Sequence, residues 1–194
     1  MQSPLEIDLE HCDPMSAIAL ERDSQRQLCA DLERLADALG GPVDARMCSM
    51  LKTRLLVDLP LYCLDEEALF QLMLGQEKSD ASLSACVHQA VSQHAAMQAY
   101  VFELLEPLNE MSEGTTPRNL DTVGYMLRFC FDGIRHHLQW EDAAIFQGAA
   151  GIDSGIDSEL LRQAMLSNRA IRAMTESNVL RVRRLAVYLV VLLL

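Results

Sequence analysis

Apolar residues recur along this chain every three or four positions, the spacing of one face of an α-helix. No stretch keeps the two-residue alternation of a strand. Four long segments carry the helical rhythm. The first opens at "DPMSAIALERDSQRQLCADLERLADALGG", where Asp13 can cap, Pro14 suits the first turn, and Gly40-Gly41 stops the helix. Ile18, Cys29, Leu32 and Ala36 mark its stripe, and Arg22 falls on the same stripe. The second segment runs from about Val43 to Leu74, and Pro60 should kink it by removing a backbone donor. After the polar "EKSDAS", the third runs from about Leu83 to Met111. Val87, Val91, His94, Met97 or Gln98, Val101 and Leu105 share one of its faces. "SEGTTPRN" then breaks the pattern. Thr116 is the predicted cap and Pro117 the predicted start of the fourth helix, which ends near Gly148 to Gly151. "GIDSGIDS" reads as a loop, and "SELLRQAMLSNRAIRAM" as a shorter fifth helix.

Short connections force neighbouring helices to lie antiparallel. The expected fold is therefore all-α, an up-down-up-down antiparallel four-helix bundle with a short fifth helix. The domain spans 14–175, preceded by a lead over 1–13 and followed by a tail over 176–194. In that tail Arg181, Arg183 and Arg184 precede "LAVYLVVLLL" (185–194). Ten apolar residues fall well short of the roughly 20 that cross a bilayer. The tail suits packing on the domain or on a partner protein, and secondly a membrane-surface contact.

Composition narrows the function. The 194 residues carry a formal net charge of -12, which argues against nucleic acid, since phosphate binding needs concentrated Lys and Arg. The six cysteines are scattered without a CxxC pair, and no N-terminal basic-then-apolar run reads as a signal peptide. They read as reduced thiols in a cytoplasmic protein. No nucleophile–base–orienter arrangement points to a hydrolase or transferase.

The candidate chemistry lies in "RHHLQWEDAAIF" (135–146). His137 and Glu141 stand at i and i+4 and project the same way from helix four. His94 sits midway along helix three, on its apolar stripe. Glu66 sits on helix two, at i+4 from Tyr62 in "LYCLDEEALF". Mid-helix positions of an antiparallel bundle meet at one level. Two imidazoles and two carboxylates in a dry core are costly unless paired. A divalent metal satisfies all four, and this N/O donor set suits iron, manganese or zinc. His11, His88 and His136 have no partner at ligand spacing and read as solvated, and of Asp65, Glu66 and Glu67 one is expected to turn inward.

With these residues placed, the chain resembles the hemerythrin-like (HHE cation-binding) domain over roughly 14–175. That pattern has a His on helix one, HxxxE on helix two, a His on helix three and HxxxE on helix four. "HLQWEDAAIF" is similar to the second HxxxE, and "SQHAAMQAYVFELLEPL" places His94 in the third-helix slot. "LPLYCLDEEALF" has Tyr62 where His is expected and keeps Glu66, and "ALERDSQRQLCADLERLADAL" has Arg22 in the helix-one slot. The resemblance implies non-haem iron held by His94, His137, Glu141 and Glu66, with Tyr62 as a phenolate candidate. One ion is favoured over two. Its small ligand would be oxygen, nitric oxide or peroxide, sensed or handled. Arginine cannot ligate, so Arg22 is expected to line the site and pair with Glu66. Two other readings stand beside this one. A metal-free helical interaction module would have kept the fold and lost the cofactor. A peroxide-decomposing mononuclear iron enzyme would use the same residues.

Overall fold

The computed structural model describes residues 7–76, 81–147 and 155–174. These are helical, with no strand among them. The elements are α1 (Pro14–Ala38), α2 (Ala45–Thr53), α3 (Leu59–Leu74), α4 (Ala81–Ser112), α5 (Leu120–Glu141) and α6 over 158–174. The apolar tail at 185–194 lies outside the described residues, as do the first half of the "GIDSGIDS" segment and the first part of the N-terminal lead. No described helix is long and apolar enough to cross a membrane.

Local chemistry sets the ends of these rods. The Asp13 carboxylate accepts the Ser16 N–H at 2.9 Å, and Pro14 fills the first turn of α1, where a missing N–H costs nothing. Pro60 would crowd the carbonyl four residues back. The rod runs on by widening: a π turn at Arg54–Asp58 joins α2 to α3, and the Leu59 N–H reaches the Arg54 carbonyl. A second π turn, Asp142–Phe146, follows α5 directly. The start of α5 corrects the expected cap. Asn119, with extended backbone, accepts the Thr122 N–H at 3.1 Å, so the helix begins at Leu120 rather than at Pro117. A cap is chosen by which side chain reaches an orphan N–H, and Asn119 stands one position before the first turn. On α4 the buried stripe is Val87, Ala90, His94, Met97, Val101, Leu104, Leu108 and Met111. Val91 is exposed and Leu105 sits on the flank, because the stripe advances by 3.6 residues per turn rather than four.

α1 packs mainly on α5, α2 on α4, and α4 also on α5, while α3 touches both α4 and α1. The apolar core divides in two. One part joins Leu28, Leu32 and Leu35 of α1 with Leu51, Leu55 and Cys63, with Met97 to Leu108 of α4, and with Val123 to Leu138 of α5. The other joins Ala17 and Ile18 with Leu69, Phe70, Val87, Ala90 and Ile145, and is closed by Leu161 and Met165 of α6. Each buried Leu or Phe contributes about 1.5–3 kcal/mol of hydrophobic stabilisation. Between the two parts lies a polar layer: Glu21, Arg22 and Gln25 on α1, Asp65 and Glu66 on α3, His94 on α4, and His137 and Glu141 on α5, all buried.

Candidate metal centre

Every ligating residue sits on the inward stripe of its helix. Glu66 follows Cys63 and precedes Leu69 and Phe70, so its carboxylate enters between the two apolar parts. His94 lies between Ala90 and Met97 in the same way, and His137 and Glu141 lie between Ile134 and Ile145. One ligating atom from each of Glu66, His94, His137 and Glu141 lies within 4.8 Å of all the others.

The protonation of the imidazoles follows from their outer contacts. His94 Nδ1 is 2.9 Å from Glu67 Oε1, and His137 Nδ1 is 2.7 Å from Gln93 Oε1. Carboxylate and amide oxygens accept only, so both Nδ1 atoms donate, and each Nε2 offers an inward lone pair when its imidazole is neutral. His137 Nε2 lies 3.2 Å from Glu141 Oε1. His94 Nε2 lies 3.6 Å from both Glu66 Oε2 and Glu141 Oε1, too far for a hydrogen bond. Glu66 Oε2, His94 Nε2, His137 Nε2 and Glu141 Oε1 are buried and have no hydrogen-bond partner. Two imidazole nitrogens and two carboxylate oxygens therefore face one another with no other polar group between them. With both imidazoles neutral, a metal ion would satisfy all four atoms together, and the cluster could hold one. An imidazole whose outer N–H is held by a carboxylate or amide is the usual arrangement of a metal-ligating histidine.

Arg22 occupies the other side of the carboxylates. One Nη1 donates to Glu66 Oε1 and to Glu141 Oε2, each at 2.6 Å. Its Nη2 donates to Asp142 at 2.8 Å and to the Leu138 carbonyl at 3.1 Å. That carbonyl is accessible where α5 passes into the π turn and the Asp142 N–H is shared between Leu138 and Gln139. The Phe146 ring lies 4.3 Å from the guanidinium carbon. Burial works against the charges here, and the pairing outweighs it. Arg22 is held above its ordinary range by Glu66, Glu141 and Asp142. Glu141 is held below the usual carboxylate range by His137, His94 and Arg22. His94 is raised, against its burial, by the Cys63 thiol and by the Glu141, Glu66 and Glu67 carboxylates around it.

The structure thus brings four expected ligands together and sets Arg22 on two of them. Tyr62 is placed differently. Its hydroxyl lies 3.4 Å from Ser24 Oγ, among Asp58, Glu21 and Arg54. Burial raises its pKa, and its hydroxyl is engaged with Ser24 of α1, so the structure does not bring the expected phenolate ligand into hydrogen-bond contact with the four clustered residues. The acidic cluster also departs from expectation, because Asp65 and Glu66 both turn inward and Glu67 is half-buried. Sequence patterning missed Gln93 and Glu67, which orient the imidazoles. Their only signal is that each adjoins a ligand residue, His94 and Glu66.

It also missed a second buried group. Arg169 of α6 donates to Asp65 Oδ2 and to Glu21 Oε1, each at 2.6 Å, and Asn168 donates to Asp65 at 2.8 Å. Burial, then the charge of Asp65, pushes the Glu21 carboxyl from 4.5 up to about 9 against the pull of Arg169. A folded-state pKa raised this way contributes stability that is complete below about 4.5 and is lost as pH rises through about 9. Thermal melts should therefore show wild type losing ground to Glu21→Gln across that window. A gap between the two proteins that does not change with pH would contradict a buried, protonated Glu21.

No protein-family model, curated protein or solved structure matches the chain.

Proposed function

We propose that this chain is a hemerythrin-like, non-haem iron-binding protein that senses or handles oxygen, nitric oxide or peroxide at one buried ion. The convergence of four buried, partnerless ligand atoms within 4.8 Å carries this reading. The apolar clusters support the up-down-up-down bundle that goes with it. Going along the chain, α1 and α4 pass from the Phe70 cluster to the Leu104 cluster, and α3 and α5 pass the opposite way. His94, His137, Glu66 and Glu141 would hold the ion, and Gln93 and Glu67 would fix the imidazoles. Iron held there would supply a site for a diatomic or peroxide ligand. The apolar clusters on either side limit water at it, and π turns of the kind often found at functional sites flank the ligand segments.

One observation favours a second reading, the metal-free interaction module. Arg22 already neutralises part of the carboxylate charge through its pairs with Glu66 and Glu141. Metal analysis separates the two. Protein produced with iron supplied should carry about one iron per chain. Anaerobic nitric oxide should then change its absorption spectrum. Iron, manganese and zinc all near zero in the supplied, folded protein would establish the metal-free reading.

A further inference from the structure

Each carboxylate of the cluster divides its two oxygens. Glu66 gives Oε1 to Arg22 and turns Oε2 to His94, while Glu141 gives Oε2 to Arg22 and turns Oε1 to both imidazoles. The guanidinium is fixed on its remaining sides by the Leu138 carbonyl, Asp142 and the Phe146 ring. It is buried, and Asp142 is itself shared with Arg26 at the rim. A permanent positive charge therefore stands one carboxylate away from the four ligand atoms. It also holds the two oxygens through which both carboxylates could bridge to another ion.

One guanidinium against two carboxylates leaves the inner group with a net charge of minus one. A divalent ion leaves a single positive charge buried there, and a trivalent ion leaves two. Each added unit of metal charge also meets the repulsion of Arg22. We propose that Arg22 is the charge-selecting residue of this cluster, which limits it to a single cation and favours a divalent over a trivalent one. This rests on the metal-binding reading above. Two unit charges about 5 Å apart at an effective dielectric of about 20 interact strongly enough to change a binding ratio roughly a hundredfold.

Zinc(II) and gallium(III) are suitable probes, because both are redox-inert with filled d shells and they differ in charge. The full chain is titrated with each ion in chelator buffers, and each affinity is referred to that of a common aminocarboxylate. Wild type should take one zinc and discriminate against gallium. Arg22→Gln should lose about a hundredfold of that discrimination, and Arg22→Lys, which keeps the charge, should retain most of it. An Arg22→Gln ratio within about threefold of wild type overturns the proposal while leaving metal binding intact. Should Arg22→Gln fail to fold, the other two proteins decide. Wild type that does not discriminate against gallium, or Arg22→Lys that loses discrimination while folded, overturns it. Wild type that binds no zinc sensitive to His137→Ala overturns both this proposal and the reading on which it rests.

Discussion

His137→Ala is expected to abolish stoichiometric metal binding in a protein that still folds. The side chain supplies one of four inward ligand atoms, and its removal also strands Gln93 Oε1 at the outer edge. The remaining three ligands offer an incomplete shell, so chelator competition should show affinity reduced by at least about a hundredfold. A graded series makes the result specific. Gln93→Leu keeps the ligand but frees the imidazole to rotate, and loss of such an outer partner typically costs about 10–100-fold. Tyr62→Phe should leave affinity unchanged, since its hydroxyl is engaged with Ser24 rather than with the imidazoles. A Tyr62→Phe protein as metal-poor as His137→Ala would show that the ligand set has been drawn on the wrong side of α3.

The second large effect concerns folding. Arg22→Met should destabilise the metal-free protein by about 3–5 kcal/mol, the usual cost of stripping one partner from a buried ion pair. Glu66 and Glu141 are both fully buried, and each loses a 2.6 Å contact with a charged donor. Urea unfolding in the presence of chelator measures the loss. Added divalent metal should then recover more stability in Arg22→Met than in wild type, because ligand binding stabilises the native state by mass action. A loss below about 1 kcal/mol would mean that the two carboxylates find another compensating cation.

The helices and the inward residues were legible in the sequence because both follow a 3.6-residue period. Ile18, Arg22, Cys29, Leu32 and Ala36 share a stripe in the sequence and are all buried in the structure. His94 and His137 could be placed because each interrupts an apolar face. Pairings between helices leave no such trace. Nothing along the chain marks Glu21 and Asp65 as partners of Arg169, which lies more than a hundred residues away from either. The same holds for Gln93 against His137, since an amide on a helix flank resembles any solvated glutamine. The π turns were hidden for another reason: one extra residue per turn changes the phase of a stripe without changing its composition. At Val91 the difficulty was finer, since a residue four positions on is already 40° past a full turn and can leave the buried face.

The division of the core by a polar layer also bears on how the rods align. Sliding one helix by a single turn, about 5.4 Å, would carry Arg22 or His94 into a bed of leucines and leave Glu66 or Glu141 opposite methyl groups. Each such slip buries a charged or polar group without a partner, whereas the aliphatic positions on either side would exchange with little loss. The leucines therefore supply cohesion without axial address, and the layer supplies the address. A chain repacked with Leu or Met at Arg22, Glu66, His94, His137 and Glu141 could gain stability and still lose its unique alignment, populating neighbouring registers of the same helices.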